Sequence, residues 1–144
     1  MSNVYDVKPS ELVSAAAQAL KEKIKKKEYI NYVKSGAGKE RPPQSDDFWY
    51  TRSASLLRQI YINGPVGVGR LSTRYGSKKE HTVHRKHHVR AARGIIRDML
   101  QELENAKLVK KEKSGRIITP QGKSFLDKLA TQIMKSHSQS EPNA

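Results

Sequence analysis

At about 100° per residue, Trp49, Tyr50, Ala54, Leu56, Leu57, Ile60 and Tyr61 fill one continuous arc of about 160°. Thr51, Arg52, Ser55, Arg58, Gln59 and Ile62 share the remaining side. So wide an apolar face, on a helix from about Asp47 to Asn63, must be covered from several directions by other helices. It predicts a mainly α fold with this segment at its centre. Ser45, Asp46 or Asp47 supplies an N-cap, and Asn63-Gly64-Pro65 ends the run. Arg52 and Arg58 are polar-face residues about two turns apart. They serve as surface arginines or as phosphate contacts, and the charge of the whole chain favours the second.

The segments on either side have helical signals of their own. Leu12, Val13, Ala16, Ala19, Leu20 and Ile24 recur at helical spacing from about Pro9 to Lys25, and the lysines that follow suit the negative end of a helix dipole. Ser35-Gly36-Ala37-Gly38 is a break, and Pro42-Pro43 enforces an extended approach to the central helix. Arg70 to Tyr75 reads as a short helix stopped by Gly76. From Ser77 to about His88 there is no apolar period, which predicts an extended or mobile basic loop. A helix beginning near Val89 carries Ile95, Ile96, Met99, Leu100, Leu103 and Ala106. Then Leu108 to Glu112 and Arg116 to Ile118 flank Lys113-Ser114-Gly115, a β-hairpin pattern. Thr119-Pro120 starts a last helix, with Phe125, Leu126, Leu129, Ala130 and Ile133 on its buried face. Helix, two-stranded wing, helix, after an earlier helical pair, is the order of a winged-helix domain. The expectation is one domain over residues 1–135 and a disordered polar tail over 136–144.

Charge says what this scaffold is for. Residues 64–97 hold nine Lys/Arg, four histidines and one acid, Glu80, so they carry a formal +8 of the +14 on 144 residues. A stretch this basic repels itself on compaction and needs an outside partner to offset that repulsion. Closely spaced positive charge matches a phosphate backbone, where each neutralised phosphate releases a counterion. A membrane surface would instead call for a basic amphipathic helix with exposed Trp, Phe or Leu, and the amphipathic helices here look like core elements. Cysteine is absent, so there is no disulfide and no thiolate nucleophile or metal ligand. With no membrane-length apolar run and no signal-like start, the chain is expected to be soluble and intracellular.

Reactive chemistry finds little support. Gly67-Val68-Gly69 lacks the third glycine, the preceding strand and the long helix of a dinucleotide loop, and no Gly-Lys-Ser/Thr completes a phosphate loop. A tight turn explains it, with backbone N–H groups open to phosphate oxygens. His81, His84, His87 and His88 have metal-like spacing, but Arg85, Lys86 and Arg90 would repel a divalent ion. Stacking on bases, or solvation, suits these histidines better. Asp46 and Asp47 read as caps, and Asp98, Glu102 and Glu104 as members of intrahelical ion pairs. No acid or serine has a base and an orienting partner, so neither enzyme activity, a metal, a cofactor nor a small-molecule substrate is expected.

Several segments resemble the S-nineteen-e proteins of the small ribosomal subunit of eukaryotes and archaea. They are Phe48-Trp49-Tyr50-Thr51-Arg52-Ser53-Ala54-Ser55-Leu56-Leu57-Arg58-Gln59-Ile60-Tyr61, then Gly64-Pro65-Val66-Gly67-Val68-Gly69, Tyr75-Gly76 and Gly115-Arg116-Ile117-Ile118-Thr119-Pro120-Gln121-Gly122. Tyr32-Val33-Lys34-Ser35-Gly36 and Glu40-x-x-Pro43 are weaker echoes. The likeness runs from about Val4 to Met134 with the motifs in order. It implies a helical protein with a winged-helix-like part, bound to ribosomal RNA in the head of the small subunit and needed for assembly of that subunit and maturation of its RNA. Neighbouring ribosomal proteins, and assembly factors, would be further partners. The location implied is the cytoplasmic ribosome, with a nuclear or nucleolar stage in a eukaryote. By position, Arg52, Arg58, Gly67, Gly69 and Arg93 match the family's basic and glycine positions. The sequence departs from the family in the loop after Tyr75-Gly76, and at Lys107-Leu108-Val109 where Gly-Leu-Val is usual.

The residues expected at the RNA are Arg52, Arg58, Gly67, Gly69, Arg70, Arg74, Lys78, Lys79, Arg85, Lys86, Arg90, Arg93 and Arg97. Arg58→Ala or Arg52→Glu is expected to leave the isolated fold nearly intact. The alternative is a winged-helix DNA-binding regulator, which would gather Asn, Gln and Arg on one recognition helix. A third reading, an adaptor for acidic proteins, predicts binding that nuclease does not affect.

Overall fold

The helix that the apolar arc predicts is present as α2, Phe48–Asn63, and the rest of the molecule is built on it. The computed structural model describes residues 2–140. α1 (Pro9–Leu20), α4 (Arg93–Asn105), β4 (Gly115–Ile118) and α5 (Pro120–Ser140) all contact α2. Trp49, Ala54, Leu56, Leu57 and Ile60 are completely buried, as are Leu12 and Leu20 of α1 and Met99, Leu100 and Leu103 of α4. Burying a leucine or methionine side chain contributes roughly 1.5–3 kcal/mol, so this shared cluster is the main stabilising term. Tyr50 and Tyr61, at the edge of the predicted arc, are half-buried. No helix is long and apolar enough to cross a membrane among the described residues.

Several helix ends differ from expectation. α1 stops at Leu20 rather than near Lys25, and Lys21 pairs with Asp47 at 3.0 Å while Lys27 pairs with Glu102 at 3.6 Å. Lys21 ties the start of α2 to the end of α1, and Lys27 ties the flank of α4 to the segment that follows α1. Asp47 stands at the N-cap position of α2, but its carboxylate is spent on Lys21 and makes no capping bond. At the other end of the chain, α5 continues to Ser140, so residues 136–140 are helical where a disordered tail was expected. Residues 141–144 of that tail lie outside the described residues. His137 Nε2 lies 2.9 Å from Glu11 Oε2, a contact that ties the extension to α1.

The wing is where the hairpin signal put it. β3 (Val109–Glu112) and β4 are antiparallel, with Val109 opposite Ile118 and Glu112 opposite Gly115. Gly115 takes φ +128, and a Cβ there would fall 2.7 Å from the carbonyl carbon of Val66. That closeness lets Val66 and Arg116 exchange both backbone hydrogen bonds, at 3.2 and 2.8 Å. The stretch after α2 thereby covers the edge of the wing. α5 starts as predicted: the Thr119 hydroxyl accepts from the Gly122 N–H at 3.1 Å.

A second ribbon was not foreseen. α3 (Val68–Arg74) leads into β1 (Ser77–Lys79), which pairs antiparallel with β2 (His87–Val89). The basic segment is extended, as expected, but it is a paired strand ribbon rather than an open loop. Its base is anchored by distant residues: Ala91 N–H donates to Ser72 O at 2.8 Å, and Ala92 N–H to Ser35 O at 2.9 Å. α4 accordingly starts at Arg93, later than Val89, leaving Arg90 in the connection.

Candidate nucleic-acid interface

One of the expected arginines, Arg52, packs on Tyr75, and two more, Arg58 and Arg74, lie near enough for their charge to act on its phenol. Arg52 and Arg58 leave α2 on its polar side, and Arg74 ends α3 beside Tyr75. The Tyr75 phenol is pushed up by burial, and this is opposed by its hydrogen bond to Ser55 and by the positive fields of Arg52, Arg74 and Arg58. The Tyr75 hydroxyl lies 2.6 Å from Ser55 Oγ, which fixes the ring against α2. Arg52 sits over two aromatic rings, its Cζ 4.4 Å from the Tyr75 centroid and 5.0 Å from that of Phe48. Burial pulls its guanidinium below the usual arginine value, while Tyr75 works in the opposite direction.

Arg52 is therefore not a side chain standing in solvent, and the expectation that its replacement leaves the fold nearly intact needs correction. Arg58 is half-buried too, with its Nε inaccessible and without an acceptor among the described residues. Two arginines with one end in the protein have less conformational freedom to lose when an anion arrives.

The other expected residues lie further out. Gly67 precedes α3 and Gly69 sits in its first turn; a Cβ at either would meet no atom within 4 Å. Nothing inside the protein requires glycine there. Arg70 is exposed on α3, Lys78 and Lys79 on β1, and Arg85 and Lys86 at the tip of the ribbon. Arg90 leads into α4, whose first two turns present Arg93 and Arg97. Lys86 is the one member of the set with an acidic partner among the described residues, Glu80 at 3.1 Å. Arg52, Arg58 and Arg74 thus act on Tyr75, while the other expected side chains stand on α3, on the ribbon and at the start of α4.

Sequence reasoning missed two parts of this surface. Lys34 and Lys39 face the ribbon across a groove that they line with Lys78, Lys79 and Lys86. Gly38 makes this possible, since a Cβ there would sit 2.3 Å from Ser77 Oγ and 3.1 Å from Val89. Phe48 and Pro42-Pro43 form a pocket whose wall includes Arg52. The groove leaves no local signal because it joins residues 34–40 to residues 78–86. The pocket is built within residues 35–52, whose sequence shows the prolines, Phe48 and Arg52 but not that the chain folds them around a cavity.

The acids expected to form intrahelical pairs on α4 do something else. Asp98 accepts from the Tyr29 hydroxyl, Glu102 faces Lys27, and Glu104 Oε1 accepts from Arg116 Nε at 2.7 Å. All three are tertiary contacts that dock α4. The histidines of the ribbon form no metal-holding group among the described residues. His81 instead packs near His84 and His87, ring centroids 6.4 and 6.1 Å away.

The family described as Ribosomal protein S19e matches the chain over residues 3–136. The small ribosomal subunit protein eS19 of Thermoplasma volcanium is 41% identical over 144 residues, covering 99% of this chain and 96% of the relative. The protein of the same name from Haloarcula marismortui is 39% identical over 141 residues, with 93% and 92% covered. That from Thermoplasma acidophilum is 37% identical over 144 residues, with 99% and 96% covered. On this evidence, together with a mainly α fold carrying a winged-helix-like C-terminal part, the chain belongs to the ribosomal protein S19e family.

Proposed function

We propose that the protein is a structural constituent of the small ribosomal subunit, holding folded ribosomal RNA through phosphate contacts and performing no chemistry of its own. The observation that carries this reading is the convergence of Arg52, Arg58 and Arg74 on Tyr75. Among the described residues none of the three has a carboxylate in ion-pair range; the ion-paired arginine is Arg116, on the wing. Three unpaired positive charges that all act on one phenol also oppose one another, and an outside polyanion removes that cost. The open space at Gly67 and Gly69 adds backbone that a phosphate can approach closely.

In this reading, residues 1–135 act as one RNA-binding domain, with Arg70, Lys78, Lys79, Arg85, Lys86, Arg90, Arg93 and Arg97 extending the contact. Binding in the head of the subunit, to neighbouring ribosomal proteins and to assembly factors, with a role in RNA maturation, belongs to the same proposal. So does a cytoplasmic, ribosome-bound location. The three relatives are archaeal, and they lend no support to a nucleolar stage. The test is sedimentation of the native protein: it should travel with small ribosomal particles and be released by ribonuclease. An Arg58→Ala,Arg74→Ala double variant should be recovered in those particles at a much lower level. Sedimentation unchanged by nuclease would overturn the proposal and favour a protein-only partner.

One observation favours a second reading. α4, which immediately precedes the wing, exposes Arg93, Arg97, Gln101 and Asn105 at four-residue spacing. That is the side-chain set a DNA-recognition helix would carry. Salt-dependent binding to duplex DNA beside structured ribosomal RNA separates the two, with tighter binding to RNA at equal salt expected here.

A further inference from the structure

Between the 35–45 segment and the first turns of α2 lies a pocket of about 420 Å³, within the range of roughly 300–1,000 Å³ that binding pockets occupy. Pro42, Pro43 and Phe48 give it flat apolar walls, and Arg52 lines it. The Arg52 guanidinium carbon lies over the Phe48 and Tyr75 rings, 5.0 and 4.4 Å from their centroids, and its N–H donors are what it offers a ligand. Among the described residues no side chain or backbone acceptor engages them. Glu40, the one acid in the wall, makes no ion pair among the described residues. The lysine groove beside the ribbon adjoins this pocket, because Lys39 and Glu40 line both.

We propose that the pocket receives one unstacked nucleobase of the bound RNA, a guanine by preference, whose flanking phosphates lie along the lysine groove. The inference rests on the RNA-binding reading and deepens it. Sequence-specific RNA recognition takes splayed-out bases against aromatic and guanidinium planes, and Phe48 with the two prolines provides such a surface. An arginine edge presents two parallel donors, and the O6 and N7 acceptors of guanine match that fork. N3 and O2 of an unpaired cytosine match it too, but the larger face of guanine covers more of the apolar walls, and adenine and uracil offer no adjacent pair of acceptors. A phosphate alone would satisfy Arg52 but would leave the apolar walls uncovered. The groove supplies what an extruded nucleotide also needs, positive charge on the backbone at either side.

The test is ultraviolet crosslinking of the full-length protein bound to deproteinised small-subunit ribosomal RNA, followed by digestion and mass spectrometry. A guanine attached within residues 42–52, at Phe48 above all, is expected. Phe48→Leu should lose that adduct, keep adducts on the ribbon and bind about tenfold more weakly. Arg52→Lys keeps the charge and loses the fork, so the adduct should remain while its guanine preference falls. Adducts confined to residues 70–97 would overturn the pocket proposal and leave RNA binding standing. Absence of any adduct from a complex that fails to form would overturn both. An adduct within 42–52 with no base preference would overturn the choice of guanine.

Discussion

Tyr75 lies with its ring centroid 4.4 Å from the guanidinium carbon of Arg52, and its hydroxyl anchored on Ser55 of the same helix. Arg52 is therefore at once a candidate RNA contact and a packing element joining α2 to the end of α3. Losing two cation–aromatic contacts costs about 1–2 kcal/mol where the cation is partly desolvated. Arg52→Ala should lower stability by about that much and weaken RNA binding as well. Tyr75→Phe keeps the ring and gives up one hydrogen bond, so it should lose about 1 kcal/mol and retain RNA affinity. Arg74→Ala, at an exposed position, should weaken binding with almost no change in melting temperature. Thermal denaturation and RNA titration of the three variants check this pattern.

Lys107 takes φ +62 at the end of α4, the one positive φ at a non-glycine among the described residues. Leu108 N–H donates to Leu103 O at 3.1 Å and Lys107 N–H to Glu104 O at 2.9 Å, the paired bonds of a left-handed helix stop. A side chain makes that conformation cost about 1 kcal/mol, which glycine avoids. Lys107→Gly should stabilise the protein by about 0.5–1 kcal/mol, less the added entropy of the unfolded chain. A higher urea midpoint with unchanged slope is the expected result.

Gly122 shows the opposite case. A Cβ at this buried position would lie 2.3 Å from the Leu108 carbonyl oxygen. The first turn of α5 touches the strand entering the wing there, and Thr119 Oγ1 also donates to Lys107 O at 2.8 Å. The helix cannot retreat without losing that bond. Gly122→Ala, normally favourable in a helix, should instead destabilise by about 1–3 kcal/mol. Chemical denaturation beside Gly94→Ala, where a Cβ meets nothing within 4 Å, separates steric from propensity effects.

Local signals made part of this molecule legible. α2 is readable because its core residues repeat within one helix, and the wing because Lys113-Ser114-Gly115 marks its turn. The β1–β2 ribbon has no such signal: Ser77, Lys78 and Lys79 carry no apolar alternation, and what holds the ribbon is Gly38, Ser35 and Ser72. α1 was read too long because lysines are good helix formers, whereas Lys21 and Lys27 are drawn to Asp47 and Glu102. The arginine cluster was legible as charge and not as geometry. Only the fold shows that Arg52, Arg58 and Arg74 share Tyr75.

Alkaline pH should loosen the packing of α5. The Tyr61 hydroxyl donates to Asp127 Oδ1 at 2.9 Å. Burial, then that hydrogen bond and the carboxylate charge, push its phenol up to about 12. Tyr29 is raised in the same direction by burial and by Asp98. A folded-state value above the unfolded one of about 10 means that the stabilisation is complete below pH 10 and is lost as pH rises through about 12. Tyr61→Phe should therefore be less stable at pH 8, by about 1–2 kcal/mol for the lost charged hydrogen bond, and should lose less on going to pH 12. Urea midpoints of the two proteins should converge across that window.

Salt provides the test of which basic residues touch phosphate. Each phosphate contact removed lowers the slope of log affinity against log salt by about 0.7–0.9. Arg74→Ala and Lys79→Ala should each reduce the slope by about that amount and weaken binding to different RNA sequences alike. Lys110 on the wing pairs with Glu112 at 3.7 Å and lies outside the proposed contact set, so Lys110→Ala should leave the slope unchanged. Arg52→Lys separates charge from shape: its slope should match the wild type while its affinity falls. Equal slope losses at Lys110 and Arg74 would mean that the protein attracts RNA by net charge alone, and that the arginines around Tyr75 have no privileged place.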